Sequence, residues 1–199
     1  MNKIRFISLT ASLVLAITFT ISCDSNFKDS RDGKKYKKVV IGSQTWMAEN
    51  LNYEAESGAC YDNNPDNCAK YGRLYNWETA LKACPKGWHL PNDKEWQKLV
   101  DIAGGDKIAG TKLKAASGWN DNDGASGNGT DEYGFSALPG GHGNSDGIFL
   151  NVGYRGFWWS ATENLSSYAY YRHMNYFGSN VGRNDFSKSG LFSVRCVKD

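Results

Sequence analysis

The chain has 199 residues, a formal net charge of +2 and only 22% charged residues. A balance this close to neutrality, with no basic stripe interleaved with aromatics, argues against a nucleic-acid partner. Aromatics make up 14% of the sequence, beside 22 glycines, 4 prolines and 5 cysteines, which suits one compact, loop-rich domain held by aromatic packing and disulfides.

The first 22 residues read as an export signal: Lys3 and Arg5 are followed by an uncharged, largely apolar run from Ile7 to Ile21, short for a membrane span. Ser22-Cys23 resembles a bacterial lipobox, with Thr20 where leucine is usual. The resemblance implies that Cys23 is lipidated, that the lipid is the only membrane attachment, and that the protein is exported to the cell envelope. Residues 23–32 are polar and read as a tether to a domain over 33–199. Four cysteines remain, Cys60, Cys68, Cys84 and Cys196. This even set fits an oxidising compartment and allows three connectivities.

Within the domain, Tyr36 to Ile41 and Gln44 to Met47 read as a hairpin turned at Gly42-Ser43. The cluster Lys34, Lys35, Lys37, Lys38 beside it reads as a solvated edge. Asn50 to Asp66 reads as loop. A helix capped by Asn76 places Trp77, Ala80, Leu81 and Cys84 on one face and stops at Pro85. A second helix is better specified. Asn92 and Glu95 form a capping box, Trp96, Leu99, Val100 and Ala103 a buried stripe, and Gly104 the end. A short third helix spans Lys107 to Ala115. Ser117 to Asn128 is a long polar loop, either functional or mobile. Short strands follow at Gly134–Leu138, Ile148–Val152, Phe157–Ser160, Tyr168–Met174 and Leu191–Val197, the last with Phe192, Val194 and Cys196 on one face. Helices first and strands second point to an α+β fold with an antiparallel sheet.

Six blocks in this order, IGSQTWMAENLNY, CAKYGRLYNWETAL, CPKGWHLPNDKEW, GFSALPGG, FWWSAT and SVRCVKD, resemble the Fibrobacter succinogenes major paralogous domain. That family recurs in exported and surface proteins and is in turn similar to C-type-lectin-like folds, including the formylglycine-generating-enzyme branch. The resemblance implies a compact C-type-lectin-like domain with two main helices, short antiparallel strands, long loops, and N- and C-terminal strands that pair. It also sets the helix ending at Cys84 against the last strand. This implies the pairs Cys84–Cys196 and Cys60–Cys68, the second closing over the Asn64-Pro65 turn. A shared fold brings no activity with it.

Three constellations bear on function. Asp121, Asp123, Asp131 and Glu132, with Asn120 and Asn122, place hard oxygen donors suited to calcium in one Gly-rich stretch. An EF-hand loop counted from Asp121 has Asp123 third and Glu132 last. It also has Ala125 fifth, where a ligand belongs, and Ser126 sixth, where the turn glycine belongs. The alternative is a solvated polar loop. Trp119-Asn120-Asp121 resembles a lectin calcium motif but lies too early in the chain for it. The second constellation is aromatic: Trp158, Trp159, Tyr168, Tyr170 and Tyr171 combine apolar faces with polar tips, as a sugar platform needs. Adjacent strand residues face opposite sides, so one tryptophan is core and the other is open to either role. Trp46, Trp77, Trp88 and Trp96 belong to packing. The third is catalytic and has little behind it. His89, His142 and His173 are scattered, Ser160 lacks a nucleophile elbow, and only Cys196 lies late enough to match the copper-binding cysteines of the enzyme branch. The expected function is a non-catalytic binding or adhesion module, with polysaccharide or glycan as ligand. One alternative is a structural surface protein that binds another envelope protein. An oxidase-like enzyme is the disfavoured third.

Overall fold

The computed structural model describes residues 25–199; the signal segment and Cys23 lie outside them. In chain order the elements are β1 (Asn26–Lys28), β2 (Lys35–Ile41), β3 (Gln44–Met47), a 3-10 turn (Tyr61–Asn63), α1 (Pro65–Tyr71), β4 (Leu74–Tyr75), α2 (Trp77–Ala83), β5 (Trp88–His89), α3 (Asp93–Ile102), α4 (Ala109–Leu113), β6 (Gly140–Gly143), β7 (Phe149–Val152), β8 (Arg155–Leu165), β9 (Tyr168–Asn175), β10 (Gly182–Ser187), β11 (Phe192–Ser193) and β12 (Val197–Lys198). The fold is α+β, with four α-helices and two mostly antiparallel sheets among the described residues. One sheet runs β1-β2-β3-β12-β5. The other runs β10-β9-β8-β11-β4, with β6 and β7 attached beside β8.

The N-terminal hairpin pairs with the C-terminal strand, Trp46 opposite Val197. The predicted tether is shorter than its polarity suggests. Asn26–Lys28 pairs antiparallel with β2, and Asp29 is buried against Arg31 at 2.7 Å. An unpaired β2 edge recruits the preceding segment because backbone hydrogen bonds outweigh its polar side chains.

The stretch read as loop before Asp66 gives way to α1. Asn64 caps it by accepting from the Asp66 amide, and Pro65 sits in its first turn, where a missing N–H costs nothing. In α3 the Asn92–Glu95 capping box is formed, and Trp96, Leu99, Val100 and Ala103 are fully buried. In α2 the stripe is Trp77, Ala80 and Ala83, while Leu81 is exposed. Cys84 is the extended C-cap that leaves the helix toward Cys196. Gly134–Leu138 forms no strand beyond an isolated bridge from Ala137 to Lys114, and the glycines after Pro139 form β6. Leu191–Val197 is not one strand: β11 and β12 belong to different sheets. The alternation read for it still holds. Phe192, Val194 and Cys196 enter one core cluster, and Val197 enters the other.

β8 lies between these two clusters. Trp158 packs with Trp46, Trp96 and Phe135, whereas Trp159 packs with Tyr75, Tyr171 and Phe192. Four indoles lock it in place. Trp77 of α2 donates to the Ser160 carbonyl at 2.8 Å and Trp96 of α3 to that of Trp159 at 3.2 Å. Trp158 reaches Asn50 Oδ1 at 2.9 Å and Trp159 the Tyr75 carbonyl at 2.8 Å. Both disulfides, Cys84–Cys196 and Cys60–Cys68, are formed as the resemblance implied.

Candidate functional site

The aromatic residues singled out from the sequence do not make a platform. Trp158 and Trp159 face opposite sides, yet both are fully buried, because each face of β8 is covered. Tyr171 is buried against Phe192. The Tyr170 ring lies 3.6 Å beneath the Arg183 guanidinium, and its hydroxyl donates to Asn164. Tyr168 is exposed at the start of β9.

The predicted calcium ligands do not converge either. Asp131 sits in a left-handed turn and uses both carboxylate oxygens on Ser136, accepting from its amide at 2.7 Å and its hydroxyl at 2.6 Å. Glu132 pairs with Lys112 at 3.2 Å. Asp121 and Asp123 point into solvent. Among the described residues no group of three or more His, Cys, Asp or Glu is arranged to hold a metal ion. The local turn from Asp131 to Ser136 is what removes Asp131 from the loop's donor set.

Another aromatic group borders the 117–128 loop. Tyr154 lies in the β7–β8 turn, and Tyr176 and Phe177 lie in the turn after β9. Tyr176 is edge-on to both neighbours, 5.2 Å from the Tyr154 ring and 5.2 Å from the Phe177 ring. Tyr154 is 46% and Phe177 56% exposed. The two turns are tied together by the Tyr176 amide donating to the Tyr154 carbonyl at 2.9 Å. The loop is docked on both. Asn120 donates its amide to the Gly153 carbonyl at 2.9 Å. A side chain at Gly153, which has φ of +82°, would collide with the Asn120 amide group.

Lys114 is the clamp beneath this loop. It is buried, and its Nζ donates to the carbonyls of Gly127 at 2.7 Å, Gly178 at 3.1 Å and Asn175 at 3.2 Å. Burial lowers its pKa, and the three carbonyls satisfy the ammonium in place of water. Trp119 fixes the loop's other side. Its ring is buried 5.1 Å from Lys114 Nζ, its indole donates to the Ala137 carbonyl at 3.0 Å, and its amide donates to Asn128 at 2.9 Å. The loop is therefore a docked surface rather than a mobile one. It presents Asn120, Asp121 and Asp123 to solvent beside two exposed rings. That arrangement offers apolar faces next to hydrogen-bonding groups. Tyr154, Tyr176 and Phe177 escaped the sequence reading because they belong to no periodic run. The available signal was their setting in Gly- and Asn-rich turns, VGYRG and NYFGSN, where a ring has little core to enter.

The histidines are dispersed. His89 bridges Glu95 at 2.8 Å and Asp199 at 2.6 Å. His142 is buried against Phe157 and Phe192, with Nδ1 unpartnered, and His173 packs near Tyr171 with Nδ1 likewise unpartnered. Burial first, then the charge of Arg155, lowers the pKa of His142 and His173.

The sequence model of the Fibrobacter succinogenes major domain matches residues 39–198. The chain belongs to that family. No curated protein matches it, and no solved structure does.

Proposed function

We propose that the chain is an exported envelope lipoprotein, anchored through Cys23, whose domain is a non-catalytic module of C-type-lectin-like design that binds polysaccharide or glycan. The binding surface is the Tyr154–Tyr176–Phe177 group with the 117–128 loop beside it. The observation that carries this reading is the pair of exposed rings held edge-on to Tyr176 and flanked by the docked polar loop. Rings presented this way offer apolar faces to the C–H face of a sugar, while Asn120, Asp121 and Asp123 can meet its hydroxyls. The hairpin closed by the C-terminal strand and the long docked loop support the lectin-like assignment.

The oxidase-like reading needs a free thiol late in the chain, and Cys196 is bonded to Cys84. A glycan array probed with the wild-type protein and a Tyr154→Ala/Phe177→Ala variant tests the proposal. Saturable polysaccharide binding that disappears in the variant is the expected result. No saturable sugar binding at any ligand concentration would overturn it and leave recognition of another envelope protein as the surviving alternative.

A further inference from the structure

A cleft of about 370 Å³, lined by none of the residues of the aromatic group, is within the size range of small-ligand sites. It lies between the start of β2, the segment after β3, the end of α1, and Ser136 and Leu138. Its charge is lopsided. Lys34, Lys35, Lys37 and Lys70 line it against one carboxylate, Glu49. Two of the lysines are engaged: Lys34 with Asp32 at 3.4 Å and with the Asn52 carbonyl, and Lys70 with the Tyr71 ring at 4.8 Å. Glu49 accepts the Lys37 backbone amide at 2.8 Å.

The ammonium groups of Lys35 and Lys37 make no ion pair among the described residues. Two positions apart on β2, they share one exposed face. Lys28 of β1 stands directly opposite Lys35, a cross-strand pairing of like charges that is unfavourable when nothing neutralises it. Beneath the cleft, Asn50 takes hydrogen bonds from the buried Arg195 guanidinium, which makes no ion pair among the described residues, although the charges of Glu49 and Asp131 reach it. Its charge adds to the field that a concave, low-dielectric wall directs outward.

We infer that this cleft is a second binding site, separate from the aromatic surface, and that it takes an anionic saccharide whose carboxylate or sulfate group lies between Lys35 and Lys37. The side-chain amide of Asn52, at the cleft wall, has no hydrogen-bond partner among the described residues and can meet sugar hydroxyls. A concave site with an amide beside its cations fits a sugar unit better than the flat headgroup layer of a membrane.

The test is calorimetric titration of the full chain in detergent with oligogalacturonate, dextran sulfate and a neutral cello-oligosaccharide, and co-sedimentation of the detergent-depleted chain with phosphatidylglycerol vesicles, each at low and high salt. The anionic saccharide should bind and weaken as salt rises. Its affinity should fall about tenfold or more in a Lys35→Gln/Lys37→Gln variant, because charge-assisted contacts are the strong ones. It should be unchanged in Tyr154→Ala/Phe177→Ala. Both lysines are exposed, so the thermal transition of the lysine variant should match wild type. Three results would each overturn the inference: neither anionic polymer binding, binding indifferent to the lysine variant, or vesicles alone being bound in a lysine-dependent way. Neutral oligosaccharide binding lost only in the tyrosine–phenylalanine variant would leave the aromatic reading standing while the cleft inference failed.

Discussion

Arg195 ties the segment after β3 and the Phe135–Ser136 stretch to the C-terminal run. It is fully buried and lies 4.4 Å over the Phe135 ring. It donates to Asn50 Oδ1 at 2.8 and 3.1 Å, to the Met47 carbonyl at 3.3 Å, and to the carbonyls of Phe135 and Ser136. Burial draws its pKa down to about 9, so it is still a cation at neutral pH. Neutral acceptors replace its hydration shell, an arrangement a planar five-donor fork can satisfy and a point-charge ammonium cannot. Arg195→Lys should therefore destabilise the domain by about 3 kcal/mol or more, because several buried carbonyls lose their donors at once. Chemical denaturation measures this. The histidines set the pH dependence. His142 and His173 have folded pKa values below the ordinary 6.5, so the unfolded chain binds their protons more readily. Their contribution is complete above that value and is lost as pH falls below it. His89 runs the other way. Burial lowers its pKa, but hydrogen bonds to Asp199 and Glu95 outweigh this and raise it. Its contribution is full below 6.5 and is lost as pH rises through the folded value. The His89 side chain is 40% exposed, so solvent screens its share. The denaturation midpoint should fall between pH 7 and 5, and fall less steeply in His142→Leu.

Among the elements, the helix α2 and the crossing from β11 to β12 are joined by a bridge spanning 112 residues, whereas Cys60–Cys68 spans 8. In the chain-entropy description the long loop is worth about 4–5 kcal/mol and the short one about 2–3 kcal/mol. Cys84→Ser or Cys196→Ser should therefore lower the melting temperature more than Cys60→Ser or Cys68→Ser. Non-reducing peptide maps of the wild type should contain the two bridged peptides and no other. The 117–128 loop depends on α4 by a different route. Lys114 follows that helix directly and ties the loop to the end of β9 by three carbonyl contacts. Lys114→Met keeps the stem and removes the donors. Backbone amides from Asn120 to Gly127 should then exchange with solvent faster, and binding at the aromatic surface should weaken even though no ring is altered. The carbonyls of Gly127, Asn175 and Gly178 would be left for water to satisfy, which favours opening of the loop.

For the whole molecule, the closeness of β1 to Cys23 governs how the domain would sit on a membrane. The Ser25 carbonyl already accepts from the Lys38 amide at 2.8 Å and Asn26 pairs with Lys37, so a lipid on Cys23 would leave Asp24 as the spacer before the sheet. Intact-mass measurement and palmitate labelling of membrane fractions should find acyl chains on Cys23, and Cys23→Ala should abolish the label. A mature protein that keeps Cys23 as a free thiol would refute the anchoring. Among the described residues, no helix is long and apolar enough to cross a membrane.

What was legible in the sequence is what local chemistry dictates. The Asn92–Glu95 capping box and the Trp96–Ala103 stripe of α3 were readable because caps and helical periodicity act within a few residues. So was the β2–β3 hairpin, through its Gly42 turn. The α+β order of elements and the family were written in residue order, and the disulfide pairing came with the resemblance. What only the tertiary structure decided is which faces meet. The alternation of Trp158 and Trp159 was correct, but burial of both follows from cover on each side of β8, contributed by residues far away in the chain. Tyr154 and Phe177 became a surface because two turns, far apart in sequence, are bonded side by side under a docked loop. A local pattern specifies which way a side chain points relative to its own backbone; whether anything lies there depends on long-range packing, which no window of sequence contains.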